Sequence, residues 1–98
     1  MVELPAVNVL PFDEKLGYPQ KQLVNVNGKA YMLFYRWNYE GNFAVLRIRR
    51  VEDDTAVFEG KLTMKNPMEV KDPTTYDTLF TILPWKVDES VAEVWVFA

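Results

Sequence analysis

KQLVNVNGKAYMLFYRWN, residues 21–38, reads as two β-rich runs hinged on Asn27-Gly28. Asn and Gly both accept positive φ, which a two-residue type I′ turn requires at both central positions. The twist of that turn matches the twist of the strands it joins. A hairpin is therefore expected, with strands near 21–27 and 29–38. The second run is dense in aromatics. Tyr31, Leu33, Tyr35 and Trp37 share one face, and Ala30, Met32, Phe34 and Arg36 share the other. Both faces are mainly apolar until Arg36, the pattern of a strand that is central in its sheet or lies under a second layer.

Working outward, Asn38-Tyr39-Glu40-Gly41-Asn42 is turn-rich and leads to FAVLRIRRV, residues 43–51. Here Leu46 and Ile48 face one way while Arg47 and Arg49 face the other, as in a half-exposed strand. After the acidic turn Glu52-Asp53-Asp54, TAVFEGKLTM (55–64) places Ala56, Phe58, Gly60 and Leu62 opposite Val57, Glu59 and Lys61. Pro67, Pro73 and Pro84 punctuate residues 65–90, each removing a ladder donor. TTYDTLFTILPW (74–85) reads as a short strand or a helical turn, its β-branched and aromatic content favouring strand. SVAEVWVFA (90–98) alternates as a last strand. Upstream, PAVNVLPF is an extended segment between two prolines. No window of helical length carries a 3.6-residue apolar period. The expectation is a single all-β domain over 1–98, a small antiparallel barrel or sandwich of five to seven short strands linked as meander hairpins. Residues 1–18 form an extended N-terminal arm or edge strand.

Composition narrows the chemistry. The 98 residues include no Cys and no His, which removes disulfides, thiolate catalysis, Cys/His zinc sites and histidine acid–base catalysis. The acids Glu52, Asp53 and Asp54 lack the spacing of a calcium loop and read as a solvated turn. Glu59 and Glu93 are the mid-strand carboxylates that a hydrolytic pair would use, and each reads more simply as a charge on a wet sheet face. Ser90 is the only serine and stands outside any nucleophile-elbow context; its ordinary role is turn formation. The four glycines are scattered and build no phosphate loop. No catalytic residue, metal ligand or cofactor is assigned, and an enzyme is not expected. The N-terminal stretch has no basic region of a secretory signal, and no run approaches the roughly 18 apolar residues that a membrane span needs.

The formal net charge is −3, unevenly distributed: residues 1–51 carry +3 and residues 52–98 carry −6. Two electrically different parts can attract a charged neighbour or a second copy, unless the halves interleave in space and cancel. Arg36, Arg47, Arg49 and Arg50 lie in sequence beside Tyr31, Tyr35, Trp37, Tyr39 and Phe43. On a β surface that mixture serves single-stranded nucleic acid through stacking and phosphate contacts, although the acidic remainder argues against a polyanion. It serves a protein interface equally well, since Tyr, Trp and Arg carry disproportionate binding energy there. Tyr35, Trp37, Tyr39, Arg47, Arg49 and Arg50 are the candidate partner-binding residues. The arm around Val7–Phe12 is a candidate for adding a strand to a neighbour.

The sequence runs from a proline-punctuated segment into the Asn-Gly hairpin, YMLFYRWN, a Gly-containing turn and FAVLRIRR. An FEGKL strand, an irregular Pro-rich stretch and the terminal VWVFA follow. Over roughly residues 18–98 this order resembles the small baseplate plug proteins of tailed bacteriophages. It departs from them at Arg47-Ile48 and Arg49-Arg50, where such proteins often carry Asp-Leu. The resemblance implies a structural tail or baseplate component that acts by protein–protein assembly without catalysis. Its partners would be other tail proteins or further copies of itself, and it would be made in the bacterial cytoplasm and built into the virion. The alternatives are a small β-barrel nucleic-acid-binding module and a carbohydrate- or peptide-binding module.

Overall fold

A computed structural model describes residues 7–98, and every regular element among them is a β-strand. In chain order these are β1 (Val7–Val9), β2 (Gln20–Val26), β3 (Lys29–Asn38), β4 (Phe43–Arg50), β5 (Thr55–Lys61), β6 (Met68–Lys71), β7 (Thr78–Val87) and β8 (Ala92–Phe97). Residues 1–6 of the expected arm lie outside the described residues.

The decisive hairpin forms where the Asn-Gly pair places it. Asn27 and Gly28 have φ of +53° and +79°, and Val26 pairs with Lys29. From there β2, β3, β4 and β5 run as an antiparallel meander sheet in sequence order. The second sheet has the order β1-β8-β7-β6, all antiparallel. The two sheets pack as a sandwich and do not close into a barrel. Each side keeps its edges, and those of the second sheet are the two shortest strands, β1 and β6, which limits the exposed backbone template.

The alternation read from sequence sorts the core. Val24, Val26, Tyr31, Leu33, Tyr35, Ala44, Leu46 and Ile48 point inward from the meander sheet, and Val70, Phe80, Ile82, Ala92, Val94 and Val96 meet them from the other. The Tyr31 and Phe80 rings cross edge-to-face between the sheets with centroids 5.1 Å apart. β3 is central, as its two apolar faces require, but no second layer covers its outer face among the described residues.

Three expectations change. There are eight strands among the described residues, beyond the five to seven expected, because β6 forms between Pro67 and Pro73. Four residues flanked by prolines carry too little alternation to announce a strand. The two-sided division of residues 55–64 also fails at one point. Ile48 pairs with Phe58 and Arg49 with Ala56, so Val57 is an extra residue in a β-bulge and is buried, reversing the face expected for Ala56 and Val57. Finally, Thr78–Val87 is a strand, as its β-branched and aromatic content favoured, but a long one rather than a short one. Its Pro84 is tolerated because it lies past the end of β6 and beside the bulge at Trp85. Val7–Val9 of the expected arm is an edge strand bonded to β8 of its own chain, and Leu10 N–H continues that pairing to the Val94 carbonyl at 2.7 Å.

Candidate functional site

Cross-strand register decides which side chains meet on the outer face of the meander sheet. Lys21 pairs with Phe34, Phe34 with Arg47, and Arg47 with Glu59, so these four side chains form one row across all four strands. Beside it runs a second row, Leu23–Met32–Arg49–Ala56, and on the other side a third, Arg36–Val45–Lys61. The first row carries a groove of about 550 Å³ beginning at Pro19 and lined by Phe34 together with Lys21, Arg36, Arg47 and Glu59. Ala30, Met32 and Phe34 are only half-buried and Leu23 is 48% exposed, so an apolar strip runs through a basic surround.

The six candidate residues from sequence go to different places. Tyr35 is 1% exposed, and its hydroxyl donates to the Pro11 carbonyl at 2.9 Å. It is a core side chain and offers no surface. Burial pushes its hydroxyl pKa well above the ordinary tyrosine value. Trp37 is half-buried against the core and packs on Tyr18 at 5.6 Å, in a cluster completed by Phe12; its indole N–H is enclosed without an acceptor. Tyr39 stands out at 74% exposure in the β3–β4 turn, away from the sheet face. Of the arginines, Arg47 and Arg49 share the outer face and Arg50 does not.

Arg50 binds within the chain. Its Nε and Nη2 donate to the Asp53 carboxylate at 3.1 and 2.7 Å, and its Nη1 donates to Asp72 at 2.9 Å. It thereby ties the β4–β5 turn to the β6–β7 connection of the opposite sheet. The guanidinium holds the Asp53 carboxyl well below the usual carboxylate range. Asp72 is lowered chiefly by the Thr74 backbone N–H and then by Arg50. Arg49 is fixed to Asp54, through Nε at 2.8 Å and through the backbone carbonyl at 3.0 Å, and Lys29 is fixed to Glu52 at 2.6 Å. Each acid of the Glu52-Asp53-Asp54 turn thus faces a base from the first half of the chain. The charge split seen in sequence largely cancels at this end of the sandwich.

Of the bases left without an acid within 4.0 Å among the described residues, Lys21 and Arg36 line the groove, while Lys15, Lys61, Lys65 and Lys86 are not in its lining. Arg47, also in the lining, reaches Glu59 only at 3.8 Å, beyond hydrogen-bond length. Sequence reading missed Lys21, Phe34, Arg36 and Glu59 as a group. The signal was present: counting back from the two-residue turn places Lys21 opposite Phe34. Glu59 and Glu93 stand on the outer faces of different sheets and make no acid–base pair. Ser90 donates its hydroxyl to Asp88 at 2.8 Å within the β7–β8 turn.

The outer face of the second sheet carries a different feature. Trp85, 44% exposed, and Trp95 lie with ring centroids 5.9 Å apart at 46°. The Trp95 indole N–H donates to Glu93 at 2.9 Å, and the Lys65 ammonium sits 4.8 Å from the Trp85 centroid. No protein-family model, curated protein or solved structure matches the chain.

Proposed function

We propose that the chain is an assembly subunit, a structural tail or baseplate component of the kind the resemblance implies, which docks through the outer face of the meander sheet. One observation carries the reading: the central strand β3 turns Ala30, Met32 and Phe34 outward with no layer above them among the described residues, and Lys21 and Arg36, without an acid within 4.0 Å among those residues, flank that strip. An apolar centre with a polar, cationic border is the anatomy of a protein-docking patch. Arginine suits the border because its planar fork pairs with a partner's carboxylates in two parallel bonds. The rigid two-sheet core holds the strip in place, so docking needs little ordering of the backbone.

The test is particle fractionation. The chain is tagged in its own host, tail particles are induced, and they are sedimented through a density gradient with the tail tube protein as marker. The account predicts co-sedimentation of the chain with the particles. Recovery only in the slow, free fraction contradicts it.

A second reading has its own observation. The exposed Trp85, stacked on the half-buried Trp95 beside Glu93 and Lys65, would suit a saccharide, with rings against sugar C–H faces and charges on hydroxyls. Oligosaccharide-induced quenching of tryptophan fluorescence, abolished by Trp85→Ala, would favour it over assembly.

A further inference from the structure

Deepening the assembly reading on which it rests, we propose that the groove over Phe34 takes a short, extended, acidic peptide segment of the partner. An apolar side chain of that segment sits on the Phe34 ring, and its flanking carboxylates reach Lys21, Arg36 and Arg47.

Three observations fix the chemistry. The groove, about 550 Å³, is an open depression with mainly apolar lining, and the Phe34 ring, flanked in register by Lys21 and Arg47, is part of that lining. Its cations are available: Lys21 and Arg36 are exposed without ion-pair partners among the described residues, and Arg47 is held by Glu59 at only 3.8 Å. Arg49 and Arg50, by contrast, are already engaged by Asp54, Asp53 and Asp72. The groove therefore presents three cationic groups around one apolar floor, which matches a segment with carboxylates on either side of an apolar residue.

The same surface disfavours a nucleic-acid strand. A strand platform stacks successive bases on several rings, whereas the groove offers Phe34 alone. The other outward ring, Phe43, is already capped by the Lys61 ammonium at 4.9 Å. A long polyanion would also have to pass Glu59, on a chain of net charge −3. A short peptide meets only Glu59 among the acids, and Glu59 lies beside Arg47 at 3.8 Å.

The experiment uses the full chain and a fluorescein-labelled peptide, Glu-Asp-Phe-Glu-Asp, followed by anisotropy and by amide chemical shifts. Expected are saturable binding at ~50 mM salt that weakens as salt rises, shifts at Lys21, Phe34, Arg36 and Arg47, and about a tenfold loss of affinity in Arg36→Glu. Phe34→Ala should also weaken binding, and the amide spectrum of each variant shows whether it is folded. The proposal is overturned if the peptide does not bind, if Lys-Arg-Phe-Lys-Arg binds as well, or if an oligothymidylate binds more tightly. It is also overturned if the groove amides shift on concentrating the chain alone, which would make a second copy the occupant. The two levels separate in the particle assay. Arg36→Glu that loses the peptide yet still co-sediments with particles removes the groove proposal and leaves assembly standing. Wild-type chain that binds the peptide but never enters particles removes the assembly reading and leaves the groove's preference intact.

Discussion

Arg47 and Arg50 sit on the same strand with opposite environments. Arg50 has only 13% of its side chain exposed and holds two aspartates from two different connections, while Arg47 has 45% exposed and no hydrogen-bonded partner. Arg50→Ala should lower the thermal midpoint clearly, because it strands Asp53 and Asp72 and releases the tie between the sheets. Arg47→Ala should change stability by less than about 0.5 kcal/mol. Differential scanning calorimetry of both variants checks this, and an equal loss from both would contradict it. At Tyr35 the hydroxyl alone is at stake. Tyr35→Phe leaves the Pro11 carbonyl without its donor and should cost about 1–2 kcal/mol in urea titration. None of this was legible from residue identity. The sequence shows four arginines beside aromatics, but which guanidinium finds an acid depends on turn geometry, and the acids lie up to 22 positions downstream.

At the scale of the element, the Asn27-Gly28 turn was fully legible, because positive φ at both positions is a demand that few residues meet. A Cβ at Gly28 would meet nothing within 4 Å, so Gly28→Ala tests backbone strain without a clash and should cost about 1–2 kcal/mol. The alternation of β3 and β4 was legible for the same local reason, since period two follows from the pleat. The bulge at Val57 was not. Both Val57 and Phe58 are apolar, so the pattern offers no marker for the extra residue. The sheet partner of β1 was equally hidden, because β1 pairs with β8 across nearly the whole chain and no turn announces that contact, whereas β6, β7 and β8 pair in chain order as a meander does. The candidate site suffered from a related blindness. Reading it as a run of neighbours along the chain joined Tyr35, Trp37 and Arg50 to Arg47. Reading it as a row across strands joins Lys21, Phe34, Arg47 and Glu59.

For the whole molecule, the titrating groups define a stability plateau. The chain has no His, so no side chain has an ordinary pKa between about pH 5 and 8. The carboxyls of Asp53, Asp72 and Asp88 are held low, chiefly by the Arg50 guanidinium, by the Thr74 N–H and by the Ser90 N–H respectively. A folded pKa below the unfolded one gives stability that is present above about pH 4 and lost as the pH falls through the folded values. Burial raises the hydroxyls of Tyr35 and Tyr18, the latter further beside Asp88, so their contribution is full below about pH 10 and lost as the pH climbs beyond it. Urea midpoints measured across pH should therefore be flat near neutrality and fall on both flanks; a step near pH 6–7 would contradict this picture.

The most direct measurement of the central claim is hydroxyl-radical footprinting of the chain alone and inside isolated tail particles, read by mass spectrometry. Docking through the meander sheet predicts that Leu23, Met32 and Phe34 lose reactivity in the particle while Trp85 and Tyr76, exposed elsewhere in the free chain, keep theirs. Unchanged reactivity at Met32 and Phe34, or protection confined to Trp85, would contradict it.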